Sequence, residues 1–259
     1  KLLNKSFKYK NLGLLIIDEE QRFGVEHKEK IKEMKNAIDV LSLSATPIPR
    51  TLQMSLTGIR TLALIETPPK ERYPNQTYVL EESNLVIKDA IYKELSRGGQ
   101  VFILYNSVEK IEEKVFEISK LVPEAKVDYA HGRMNKDQLE NKMNNFIQGK
   151  FNVLVCTTII ETGIDIPNVN TLIIIDADRF GLSTLHQLRG RVGRGSFKSQ
   201  CILISDSDAE RLKIMETVDD GFVISEADFK LRGHGDLFGT KQSGDMSFKI
   251  ANIRDDYKI

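Results

Sequence analysis

The sequence has 259 residues, 41% of them hydrophobic and 29% charged, and its 37 basic and 37 acidic residues cancel to a formal net charge of zero. That length allows one large or two ordinary domains of roughly 100–200 residues each, and the apolar content can bury a core, which excludes a disordered tail. The longest apolar runs, such as Val153–Cys156 and Leu172–Ile175, fall far short of the ~18 residues that cross a bilayer, so no membrane partner is expected.

In chain order, the opening Lys1-Leu2-Leu3-Asn4-Lys5 has no long apolar stretch, so no secretory leader is expected and the setting reads as cytoplasmic. Six short apolar runs follow: Gly13–Ile17, Val40–Leu43, Val101–Tyr105, Val153–Cys156, Leu172–Ile175 and Cys201–Ile204. They are rich in Val, Ile and Leu, the pattern of strands buried on both faces of a parallel sheet. The two cysteines, Cys156 and Cys201, lie inside such runs and read as buried thiols in a reducing compartment rather than a disulfide. Helix-period stretches alternate with the runs. Val108, Ile111, Val115 and Ile118 form one stripe, with Ser107 expected as its N-cap. Leu139, Met143, Phe146 and Ile147 form another, opened by Asn135 and closed by Gly149. Strand–helix–strand alternation predicts a doubly wound α/β fold.

Several runs end in residues suited to chemistry. Asp18-Glu19-Glu20-Gln21 follows the first run, where Asp18 is placed to hold Mg²⁺ through water and Glu19 to orient or deprotonate an attacking water; a solvated acidic turn would look the same. Ser44-Ala45-Thr46 follows the second, offering two hydroxyls able to bond across a cleft. His131-Gly132 is suited to approach a nucleic-acid phosphate. Thr157 and Thr158 offer hydroxyls and N–H groups at an expected helix N-terminus, a phosphate cradle, while Gly163 permits close approach and Asp165 accepts from a ribose hydroxyl. Arg191 and Arg194 are expected on one helical face, suited to stabilising charge on a γ-phosphate; a solvated basic face is the plain alternative. Basic charge is concentrated there, because residues 179–205 hold five Lys or Arg and no Asp or Glu. The glycine-dense stretch Arg232–Gly244 reads as a loop carrying Arg232 and Gln242. Boundaries are expected after the proline-bearing Thr67–Arg72 and at Ser205-Asp206, giving a partial α/β unit (1–72), a complete one (73–205) and an appendage of short helices and loops (206–259).

In this order Asp18–Gln21, Ser44–Thr46, Val101–Asn106, Thr157–Pro167 and Gln187–Arg194 resemble motifs II to VI of superfamily 2 helicases and translocases. Gln21–Val25, Ala45–Thr51 and Arg179–Leu182 narrow the resemblance to the double-stranded DNA translocases of the RecG and transcription-repair coupling factor families. Arg232–Gly244 resembles the translocation motif that those families share. Residues 18–176 look more like the coupling factor and those from about Leu185 more like RecG, so a hybrid joined near Asp176–Leu185 is expected. The resemblance implies a complete second RecA-like lobe, part of a first and a helical translocation motif. It implies ATP and Mg²⁺ as cofactors, and double-stranded or branched DNA as partner, with RNA polymerase reached through modules outside these residues. It assigns Asp18 to Mg²⁺, Glu19 to water activation, and Arg191 and Arg194 to the γ-phosphate. Gly163, Asp165 and Gln187 would line the nucleotide cleft or couple it to DNA, while His131, Gly132, Thr157 and Thr158 would meet the DNA backbone. Ser44, Thr46, Arg232 and Gln242 would couple the two. The implied function is an ATP-driven DNA translocase in repair and recombination, remodelling forks or removing stalled RNA polymerase. The alternative is a non-catalytic DNA- or protein-binding module. No Gly-x-x-x-x-Gly-Lys-[Ser/Thr] loop occurs; the Gly149-Lys150 pair runs into Phe151. The chain alone is therefore expected not to hydrolyse ATP.

Overall fold

The computed structural model describes residues 9–19, 23–35, 38–48, 61–65, 67, 75–161, 166–193, 195, 197–206 and 210–232. The chain divides into two units, Lys1–Pro47 and Ile48–Ile259. The boundary expected after residue 72 falls beside residues outside those described.

In the first unit, β1 (Leu14–Asp18) and β2 (Asp39–Leu43) pair in parallel, with Asp18 opposite Leu43. A parallel pair needs a crossover, and α1 (Val25–Lys35) lies between them in sequence. Ile17 and Ile31 are the buried apolar side chains described here.

The second unit holds six parallel strands: β3 (Gln76–Leu80), β4 (Gln100–Leu104), β5 (Val127–Ala130), β6 (Val153–Cys156), β7 (Val169–Ile174) and β8 (Gln200–Ile204). Their order is β3-β8-β7-β4-β6-β5. The four inner strands are buried at every position because both faces are covered. Side chains alternate along each strand. Phe102, Leu104, Leu154, Leu172 and Leu203 enter one core with Phe146, Leu185 and Leu188. Val101, Ile103, Val155, Ile173 and Ile202 enter the other with Ile87, Ile91 and Ile118.

Among the described residues of this unit the α-helices are α2 (Asn84–Ser96), α3 (Ile111–Leu121), α4 (Lys136–Ile147), α5 (Leu182–Arg189), the short α6 (Ile214–Thr217) and the 12-residue α7 (Gly221–Arg232). Asn135 caps α4, its side chain accepting from Gln138 N, and Gly149 closes it at φ +71°. Ile147, in contrast, is 54% exposed and leaves the stripe to Leu139, Met143 and Phe146. Ser107 is not the cap of α3. A turn intervenes, the cap position is Lys110 without a side-chain bond, and Glu112 and Glu113 complement the helix dipole instead. Cys156 and Cys201 are free and fully buried, with burial holding both thiols above the usual range.

Candidate functional site

The register of the parallel strands defines two edges in the second unit. The C-terminal edge follows Leu104, Ala130, Cys156, Ile174 and Ile204; the N-terminal edge precedes Gln76, Gln100, Val127, Val153 and Gln200.

At the C-terminal edge, His131 and Thr157 leave the neighbouring strands β5 and β6 side by side, and Thr157 N donates to Ala130 O at 3.3 Å. The His131 ring stacks on Tyr129 with centroids 5.9 Å apart, and Lys142 Nζ stands 4.5 Å from the Tyr129 centroid. His131 Nδ1 is buried and has no hydrogen-bond partner among the described residues. A buried polar atom left so is costly, about 1–3 kcal/mol, unless a ligand or water meets it. Thr158 opens a 3₁₀ turn, Thr158–Glu161, rather than the α-helix expected there. At Gly132 an added Cβ would meet only Ile159, at an ordinary 3.7 Å, so space does not by itself require glycine.

At the other edge lies the end of α5. Gln187 is half-buried within the helix, and Gly190 is its C-cap. Arg191 therefore lies beyond the helix rather than on a helical face. It stands in the turn after the helix, its N–H donating to Leu188 O at 2.9 Å. The turn continues into Gly193 at φ +76°, a conformation that glycine adopts without strain. At Gly195 an added Cβ would stand 2.6 Å from Pro167 O, so the loop packs backbone to backbone on the end of the Thr157–Pro167 string. The described ends of that string thus lie at opposite edges of the sheet. Arg194, Gly163, Asp165 and Gln242 lie outside the described residues, and Arg232 ends α7.

Two residues with no assigned role turn out to hold α5. Asp228, on α7, is 6% exposed and accepts from Leu182 N (3.0 Å), Ser183 N (3.3 Å) and Ser183 Oγ (2.8 Å). It supplies the N-terminal cap that Gly181 lacks. At the opposite end Arg189, 3% exposed, donates to Met215 O at 2.9 Å and Val218 O at 3.1 Å and pairs with Asp219 at 3.4 Å. Burial lowers its pKa and Asp219 counters that shift, so the guanidinium stays cationic. The one sequence signal for Asp228 is its phase, since it shares a buried face with Ile224 and Ser225.

In the first unit Asp18 ends β1 exposed, and Glu19 N donates to Leu43 O at 2.9 Å. Glu19 is a non-glycine residue at φ +51°. Its Oε1 accepts from Ala45 N at 2.6 Å, and Thr46 N donates to Ser44 Oγ at 3.2 Å. The two motifs thus meet through Glu19, while Ser44 closes a local turn. Mg²⁺ is usually held by one or two carboxylates plus phosphate and water. An exposed Asp18 fits that habit. Among the described residues there is no cluster of three side chains able to hold a metal ion by itself.

The family described as helicase conserved C-terminal domain matches residues 84–196, and the C-terminal part of domain 3 of the ATP-dependent DNA helicase RecG matches residues 218–259. Transcription-repair-coupling factors of Bacillus subtilis and Staphylococcus haemolyticus are each 54% identical over 94% of this chain, which spans 22% of their length. A structure of RecG bound to a three-way DNA junction matches 97% of this chain and 34% of that one, at TM-score 0.74 and 38% identity. Yeast Dbp5 bound to RNA and ADP BeF3 shares the fold, at TM-score 0.57 and 20% identity over 82% of this chain and 57% of its own.

The fold is that of a RecA-like helicase C-terminal lobe. The chain is similar, over more than nine-tenths of its length, to the RecG and transcription-repair-coupling factor group of superfamily 2. The coupling-factor and RecG similarities each extend over more than nine-tenths of the chain, and so lie on both sides of the expected join near Asp176–Leu185.

Proposed function

We propose that the chain forms part of an ATP-driven motor that moves on double-stranded or branched DNA, with the N-terminal edge of the six-stranded sheet serving the nucleotide and the C-terminal edge serving DNA. The observation that carries this reading is the position of the Gln187–Gly193 string, on α5 and the turn after it, in a fold matching RecG over 97% of the chain. Bound ATP and Mg²⁺ would supply the phosphoanhydride and its charge neutralisation. Asp18 would orient the metal's water shell, and Glu19, its Oε1 held by Ala45 N, would orient or deprotonate the attacking water. Arg191 would neutralise charge developing on the γ-phosphate, together with Arg194. His131, Gly132, Thr157 and Thr158 would meet the DNA backbone, with His131 Nδ1 gaining a partner there.

The coupling-factor relatives favour transcription-coupled repair in the cytoplasm as the setting, with RNA polymerase engaged through parts of those relatives that this chain does not span. The sequence contains no phosphate-binding Gly-x-x-x-x-Gly-Lys loop, so the chain alone should bind duplex without DNA-stimulated ATP hydrolysis. Full-length protein should hydrolyse ATP, and Glu19→Gln should abolish turnover while sparing duplex binding. Turnover by the pure chain, or a Glu19→Gln enzyme of full activity, would overturn this assignment.

A further inference from the structure

The arginine turn is fastened to the residue that immediately precedes β3. Asn75 Nδ2 donates to the carbonyl of Arg189, the last residue of α5, at 2.8 Å. Its Oδ1 accepts from Ser199 Oγ, and the adjacent Gln76 N donates to Ser199 O at 3.0 Å. Gly193 presses on the same pair. A Cβ there would stand 2.5 Å from Asn75 Oδ1 and would collide with Ser199 Oγ, while the Gly193 N–H donates to Val169 O at 3.3 Å. The span that carries Arg191 thus has both ends, the Arg189 carbonyl and Gly193, set against one amide side chain.

We propose that Asn75 is a positioning residue that fixes where the Arg191 guanidinium stands toward the nucleotide phosphates. The inference rests on the nucleotide role given to Arg191 above and deepens it. The β3–β8 ladder runs from Gln76 opposite Gln200 to Leu80 opposite Ile204 without using this side chain. Its bonds go instead to the end of α5 and to the residue just before β8. A carboxamide suits the task because it donates to one group and accepts from the other at once.

The test uses full-length protein at saturating duplex DNA. Asn75→Ala should lower kcat for ATP hydrolysis about tenfold and leave the KM for ATP within about twofold, because misplacing a charge-stabilising group removes transition-state binding. Asn75→Asp should fall at least as far, since it sets an oxygen against the Arg189 carbonyl. A side chain acting through Arg191 adds nothing once Arg191 is gone, so Asn75→Ala/Arg191→Ala should be no slower than Arg191→Ala. Parental kcat in Asn75→Ala, multiplying losses in the double variant, or a loss tracking a fall in melting temperature would each overturn the inference. If Arg191→Ala collapses turnover while Asn75→Ala does not, only this inference fails. If Arg191→Ala leaves kcat unchanged, the nucleotide reading falls and takes the inference with it.

Discussion

At the N-terminal edge of the six-stranded sheet, polar groups bond to one another in a network that leaves Asn170 Oδ1 as its unpartnered buried atom among the described residues. The fully buried Glu94 carboxylate accepts from Arg97, Thr171 Oγ1 (2.6 Å) and Asn170 Nδ2 (3.2 Å). Gln100 Nε2 donates to the carbonyls of Phe146 (2.7 Å) and Phe151 (3.1 Å), and Asn75 holds the arginine turn. At the C-terminal edge, in contrast, His131 keeps a buried nitrogen without a partner among the described residues, and Arg133 meets Glu109 in a pair exposed on both sides. Exposed pairs contribute little, at most about 1 kcal/mol. One edge is held by a network of side-chain bonds before any ligand arrives. The other leaves bonding capacity for a ligand to complete.

Substitutions should therefore act unequally. Gly193→Val puts a branched side chain at φ +76° and into Ser199 and Asn75, which should cost about 4 kcal/mol by urea unfolding, summing backbone strain and overpacking. Glu94→Ala strips the acceptor from Arg97, Thr171 and Asn170 and should cost about 3 kcal/mol. Asp228→Ala removes the borrowed cap of α5 and should cost about 1–2 kcal/mol, with faster amide exchange at Leu182 and Ser183. The cysteines give the smallest effect. The thiolate is the reactive form, and burial pushes the Cys201 thiol up to about 12 and Cys156 higher still, so iodoacetamide at pH 8 should label neither until the chain unfolds. Rapid labelling of native protein would contradict that burial.

The inner strands were legible because burial on both faces writes a continuous Val/Ile/Leu run. β3 and β5 were not legible. They are the edge strands, with burial patterns exposed at Gln76, Tyr78 and Leu80 and only partial from Val127 to Tyr129, so Gln-Thr-Tyr-Val-Leu and Val-Asp-Tyr-Ala look like loop. Asn135 betrayed a helix start through its own side chain, whereas the start of α5 was silent because its cap comes from Asp228, 46 residues away. The helical placement expected for Arg191 did not hold, since the spacing of Arg191 and Arg194 says nothing of the Gly190 cap between Arg189 and Arg191. The burial of Arg189 and the hydrogen bonds of the half-buried Asn75 depend on partners far along the chain, which local pattern does not record.

The division between the edges is tested most directly by ATP hydrolysis of full-length protein as a function of duplex concentration, comparing Arg191→Ala with His131→Ala. Arg191→Ala should lower kcat by about 100-fold or more and leave the half-stimulating duplex concentration within about twofold. His131→Ala should raise that concentration about fivefold, leave kcat at saturating duplex near parental, and shift further as salt is raised. Reversal of the two patterns, or kcat and half-stimulating concentration moving together in both variants, would contradict the account.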